Sequence, residues 1–105
     1  MAWTWLVLAG ALEVVWAIAL KHSEGFSRLG PSIVFVAAGI LSFVLLAQAL
    51  RSIPLGTGYA VWTGIGAVGT AVYGLAFLGE SAEALRLVSI VLIVAGIVGL
   101  KVATP

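Results

Sequence analysis

Cysteine and aspartate are absent from this chain of 105 residues, and it has only one histidine. Without thiols the chain can form neither a disulfide framework nor a thiolate metal site, and His22 alone cannot hold a metal ion. The same shortage leaves no convincing set of catalytic side chains, so we expect neither an enzyme nor a protein that needs a cofactor. A net charge of +1 also provides no basic face for nucleic acid.

Charged residues of any kind are scarce. They make up 9% of the chain, and 63% of its residues are hydrophobic, whereas a soluble domain has about 25% charged residues. Four apolar segments cover roughly residues 2–20, 31–50, 57–78 and 82–102, and about 20 apolar residues span a bilayer as a helix. Since the breaks between them are short, we predict an all-α, multi-pass protein of the plasma or inner membrane, with one four-helix domain.

Glu13 is the only ionisable residue inside the first apolar segment. A charge near the middle of the bilayer costs at least about 2.5–3.5 kcal/mol, and such residues usually mark an ion or proton site. A single carboxyl group can hold a proton or bind a cation, but not both at once, which is the minimum that antiport requires. The alternative is a protonated core residue that is bound to a neighbour.

Two further residues of the first segment share the face of Glu13. Gly10 and Trp16 lie three residues before and after it, which places all three on one side of a helix. Gly10 leaves room for a ligand or for close packing, and Trp16 offers an aromatic face or an indole N–H. In the second segment Ser42 is the hydroxyl nearest the middle, and it either bonds to another helix or lines a cavity.

The third segment presents an aromatic face made by Tyr59 and Trp62, with Thr63 beside them. Aromatic rings around a carboxylate suit an organic cation, because cation–π attraction adds about 0.5–2 kcal/mol. Plain aromatic packing is the alternative. The same segment contains three glycines that permit bending or close helix contact: Gly64, Gly66 and Gly69.

The positive charges predict no clear orientation in the membrane. Arg51 and Lys101 fall on one side of a four-helix chain, and Lys21, Arg28 and Arg86 fall on the other. Two positive charges on one side and three on the other differ too little for the positive-inside rule to predict an orientation. Either other determinants fix one orientation, or the chain inserts both ways and pairs as an antiparallel homodimer, which would supply the inverted symmetry that many transporters contain within one chain.

Two motifs resemble a known family, and the likeness extends over nearly the whole chain. They read Glu13-Val-Val-Trp16-Ala-Ile-Ala-Leu-Lys21 and Pro54-Leu-Gly-Thr-Gly-Tyr59-Ala-Val-Trp62-Thr-Gly64-Ile-Gly66. The chain is similar to the small multidrug resistance family, and within it to the guanidinium exporter subtype. Trp16 is the discriminating residue, because the drug-exporting subtype typically has a small residue there.

The resemblance implies an antiparallel, dual-topology homodimer in which two copies of Glu13 meet and bind either protons or substrate. It also implies that a polar shell orients Glu13, formed by Trp16, Ser42, Tyr59 and Trp62. The segment from Gly64 to Gly69 resembles the family's flexible break in the third helix. The family's dimer seam usually has two glycines seven residues apart in the fourth helix. Here Gly96 matches one of them, and Ser89 replaces the other.

The expected function is therefore proton-coupled export of guanidinium and small guanidinyl cations, whose fork of N–H donors matches a carboxylate. Two alternatives stay open from the sequence. One is a promiscuous exporter of quaternary ammonium cations. The other is a membrane subunit that transports nothing and assembles through its fourth helix.

Overall fold

The computed structural model describes residues 1–104, and these contain four α-helices and no strand. The helices are α1 (Ala2–His22), α2 (Leu29–Ala49), α3 (Leu55–Phe77) and α4 (Ala84–Ala103). Each helix is long and apolar enough to cross a membrane. The prediction of an all-α protein with four transmembrane helices is thus confirmed.

Several helix ends differ from the predicted ones by about two residues. The second helix begins at Leu29 rather than at Pro31, because the extended backbone ends at Arg28, which is the N-cap residue. Pro31 then lies in the first turn, where the absence of its N–H removes no helical bond. The third helix likewise begins early, directly after Pro54. The fourth begins two residues late, because Glu83 has an extended backbone.

Contacts between helices place α1 against both α2 and α3, while α4 contacts chiefly α3. The buried side chains at the centre come from the first three helices and the α2–α3 connection: Leu6, Ala9, Leu46, Ala49, Ile53, Val61 and Trp62. No residue of α4 is buried. Residues 1–104 measure 42 × 35 × 16 Å, so the chain is thin in one direction. A single chain this thin leaves broad apolar faces for lipid or another chain to cover.

Candidate functional site

Glu13 lies in the middle of α1, directly opposite Gly66 in the middle of α3. Its carboxyl group occupies the space that a Cβ atom at residue 66 would need. Glycine at this position is therefore what allows the carboxyl group to lie between the two helices. The side chain is half-buried, at the centre of a helix about 32 Å long, which corresponds to mid-membrane depth.

Two buried polar atoms at this site have no hydrogen-bond partner among residues 1–104. They are Oε2 of Glu13, an acceptor when ionised, and Nε1 of Trp16, a donor. Buried polar atoms are nearly always satisfied, so each unsatisfied one calls for an explanation. The Glu13 oxygen can accept from a ligand that offers N–H donors, whereas the Trp16 N–H can only donate to an acceptor. The described residues contain no group of three His, Asp or Glu side chains that could hold a metal ion.

The Trp16 ring is held by aromatic contacts from two neighbouring helices. Phe35 of α2 meets it edge-on, with ring centroids 5.7 Å apart, and Trp62 of α3 lies at 6.5 Å. Edge-to-face packing at such distances stabilises a fixed ring orientation. The indole N–H one turn beyond Glu13 is thus carried by a rigid group.

Ser42 and Trp62 form a hydrogen-bonded chain that does not include Glu13. Trp62 Nε1 donates to Ser42 Oγ over 3.1 Å, and Ser42 Oγ donates to the carbonyl oxygen of Ala9 over 2.7 Å. All three residues are buried. Of the two roles left open for Ser42, the structure shows the bond to another helix, and this bond joins α1, α2 and α3 beside the site.

Tyr59 and Thr63 lie at the edge of this group. The Tyr59 ring packs 5.4 Å from the Trp62 ring, yet the residue is 53% exposed, and no hydrogen bond joins its hydroxyl to Glu13. Thr63 is exposed on the surface of α3. Within one chain the structure therefore shows none of Ser42, Tyr59 and Trp62 bonded to Glu13, and their role as a shell around the carboxylate stays a prediction.

The other predicted glycines admit neighbouring side chains. A Cβ at Gly10 would meet Ile65 at 2.8 Å, one at Gly64 would meet Ile97, and one at Gly69 would meet Val14. These glycines allow α3 to approach both α1 and α4 closely. The third helix runs unbroken through its glycines, so the hinge stays a prediction.

The predicted dimer seam lies on the uncovered helix. Nothing lies within 4 Å of a Cβ built on Gly96, and Ser89 is exposed with its hydroxyl bonded to the carbonyl oxygen of Leu85 in its own helix. Both positions are free to meet another surface.

Two residues near the site were missed by reasoning from the sequence. Phe35 meets the Trp16 ring, and Phe43 lies 5.1 Å from the Trp62 ring. A signal was present, because Phe35 precedes Ser42 by seven residues, two helical turns, and so shares its face. Phe43 directly follows Ser42, and no periodicity distinguishes it from the other apolar residues of α2.

Comparisons with known proteins agree on one family. Residues 1–93 match the sequence model of the Small Multidrug Resistance protein family. Over 104 residues the chain is 61% identical to the guanidinium exporter of Escherichia coli (strain K12), which covers 99% of each chain. It is 62% identical to the guanidinium exporter of Yersinia pseudotuberculosis, over 99% of this chain and all of that one. The guanidinium exporter of Citrobacter freundii is 60% identical, over 99% of each chain.

Proposed function

Because this chain belongs to the Small Multidrug Resistance family, we propose that it exports guanidinium and small guanidinyl cations across the cell membrane in exchange for protons. The observation that carries the proposal is the position of Glu13. It is the only acid inside the four membrane-spanning helices, and one of its oxygens is buried without a partner. The exporter relatives named above supply the substrate class.

The chemistry of guanidinium fits this carboxylate. Guanidinium is planar and presents parallel N–H donors, so it can bind both oxygens of a carboxylate as an arginine side chain does. Gly66 leaves room for the carboxyl group between α1 and α3, and the Trp16 ring offers an aromatic face to the cation. A rigid, partly polar site of this kind favours a small flat cation over a bulky lipophilic one.

Competition at Glu13 supplies the coupling. A protonated carboxyl group cannot bind the cation, and a cation-bound carboxylate cannot take up a proton. Each ligand therefore biases the same two states of the transporter, inward-facing and outward-facing, through its own binding energy. Guanidinium leaves the cell and protons enter in the same cycle, with no cofactor other than the coupling protons.

A second copy of the chain completes the site in this proposal. One chain is 16 Å across its shortest dimension and leaves Glu13 only half-buried. A copy inserted in the opposite orientation would bring a second carboxylate and a second Trp16 indole N–H to the same region. The acceptor and the donor that lack partners within one chain could then be satisfied across a two-fold interface.

Transport in proteoliposomes tests the proposal. Liposomes that contain the purified protein are loaded at acidic pH and diluted into alkaline buffer with radiolabelled guanidinium. We expect uptake driven by the outward proton gradient, and its collapse when a proton ionophore is added. The Glu13→Gln variant should abolish the coupled uptake. Glu24→Gln removes a carboxylate from the exposed α1–α2 loop and should leave uptake unchanged.

Other outcomes identify the alternatives. Gradient-driven uptake of tetraalkylammonium ions without uptake of guanidinium would assign the protein to the multidrug exporters. No transport of either cation by folded protein would favour a membrane subunit that depends on a partner. Coupled exchange that survives Glu13→Gln would refute the role of this carboxyl group.

A further inference from the structure

A cavity with a mixed polar and apolar lining opens beyond Glu13, between the C-terminal halves of α1 and α3 and beneath the α3–α4 connection. Its volume is about 170 Å³, which is room for several water molecules or a small cation. We call it the outer pocket, and it is lined by Ala17, Ile18, Lys21, Thr70, Tyr73, Leu78 and Glu80.

The outer pocket continues the line of contact on which Glu13 lies. Ala17 is one helical turn beyond Glu13 on the same face of α1, and Thr70 is one turn beyond Gly66 on the same face of α3. One turn advances a helix by about 5.4 Å. The pocket also reaches Glu80, which lies against Gly74, eight residues or about 12 Å along α3 from Gly66. A cation bound to Glu80 would thus lie roughly two turns from the position between Glu13 and Gly66.

Glu80 is the only carboxylate of the outer pocket, and the backbone around it holds it there. Gly79 has a left-handed conformation with φ +66°, which ends α3 in the way glycine commonly does. The backbone N–H groups of Leu78 and Glu80 then both donate to the carbonyl oxygen of Gly74. The Glu80 carboxylate folds back onto Gly74, in space that a Cβ at residue 74 would occupy.

Glu80 already binds a guanidinium group, the one that belongs to Arg86. The Arg86 Nη2 atom lies 2.5 Å from Glu80 Oε1, and Nη1 donates to the carbonyl oxygen of Ser81 over 3.0 Å. The pair is open to solvent, since 31% of the Arg86 side chain and 41% of the Glu80 side chain are exposed. Exposed ion pairs of this kind are weak and exchange readily.

We propose that the outer pocket is a docking site for the transported guanidinium cation on its way to or from Glu13. Glu80 binds the cation, and the Arg86 side chain is a tethered guanidinium that occupies Glu80 when no substrate is there. Lys21 also borders the pocket, and together with Arg86 it outweighs the single negative charge of Glu80, which lowers the affinity of the pocket for a cation. Binding is therefore weak, as suits a transit site. This inference rests on the proposed function.

Opposite effects of two substitutions on the KM for guanidinium test the docking site. Glu80→Gln removes the ligand, so we expect KM to rise about two- to fivefold, the range expected of an exposed ion pair, with a nearly unchanged maximal rate. Arg86→Ala removes the competitor, so KM should fall. If the ion pair of Glu80 and Arg86 only stabilises the connection between α3 and α4, both variants should destabilise the same segment and shift KM in the same direction. That result would overturn the proposal.

Glu83→Gln is the matched control, because Glu83 is a nearby exposed carboxylate that does not border the outer pocket. Its KM should equal that of the unaltered protein. Wild-type protein that transports guanidinium through Glu13, with a KM insensitive to residues 80 and 86, would refute the docking site and leave the proposed function standing. Absence of any Glu13-dependent transport would instead refute the function.

A binding measurement keeps the test valid if a variant folds poorly. In the Glu13→Gln background, guanidinium chloride should shift the amide NMR signals of residues 79–86 in a saturable way, and sodium chloride at the same ionic strength should not. The further change Glu80→Gln should remove the saturable shift. Equal shifts from both salts would show that the outer pocket does not recognise guanidinium.

Discussion

The carboxyl group of Glu13 lies against the Cα atom of Gly66, in the space that a β-carbon at residue 66 would fill. Each residue is at the middle of its helix. A side chain at residue 66 must therefore move the carboxyl group or separate α1 from α3. Gly66 contributes to the site because its missing side chain leaves space for the Glu13 carboxyl group.

Replacement of Gly66 by alanine should lower guanidinium–proton exchange by roughly tenfold or more, because binding groups must be held within about 0.5 Å of their productive positions. Proteoliposome uptake measures the effect. Gly56→Ala is the matched control, because nothing lies within 4 Å of a Cβ at that position of the same helix. Unchanged uptake in Gly66→Ala would contradict the assigned contact.

Removal of the Ser42 hydroxyl should destabilise the protein by about 1–3 kcal/mol, because it leaves the buried Trp62 N–H without an acceptor. Unfolding in detergent, followed by tryptophan fluorescence, measures this loss for Ser42→Ala. The control Ser32→Ala removes an exposed hydroxyl that bonds only to the Arg28 carbonyl oxygen and should change stability little. Equal stabilities of the two variants would show that the bond between Ser42 and Trp62 contributes nothing.

Replacement of Trp16 by alanine should shift selectivity from guanidinium towards quaternary ammonium cations. The substitution removes the ring that packs on Phe35 and enlarges the space one turn from Glu13. Competition of tetramethylammonium and tetraethylammonium with labelled guanidinium measures the shift. Phe35→Leu keeps an apolar side chain beside Trp16 and should alter selectivity less. If the quaternary ammonium ions compete equally well in the unaltered protein and in Trp16→Ala, the Trp16 ring does not determine specificity.

Replacement of Gly96 by leucine should weaken the proposed homodimer without disturbing the fold of one chain, because the space around Gly96 is open in the single chain. Cross-linking and light scattering in detergent should show a larger monomer fraction. Gly56→Leu, at another unobstructed glycine that lies in the third helix, should remain dimeric. A fully dimeric Gly96→Leu variant would show that Gly96 does not lie in the dimer interface.

Guanidinium binding should weaken as the pH falls, because protons and the cation compete for the Glu13 carboxylate. At high pH the affinity should reach a plateau, where the carboxylate is free of protons. Titration followed by the fluorescence of the tryptophans near the site measures the apparent Kd at each pH. An affinity that is independent of pH wherever the protein stays folded would disprove competition at one group.

The sequence by itself determined the membrane character, the number of helices and the importance of Glu13. Apolar segments of about 20 residues can satisfy their backbone groups in lipid only as helices. Glu13 is recognisable because it is the only acid near the middle of such a segment. The sequence also brought Gly10 and Trp16 to the face of Glu13, since spacing by three residues fixes which side chains share a face of a helix.

Only the tertiary structure decided which face meets which neighbour. Every helix here is apolar all round, so no polar face indicates how a helix is rotated. The contact between Glu13 and Gly66, the bond of Ser42 to Ala9 instead of Glu13, and the ring of Phe35 against Trp16 all depend on that rotation. The position of Glu80 against Gly74 depends further on the left-handed turn at Gly79.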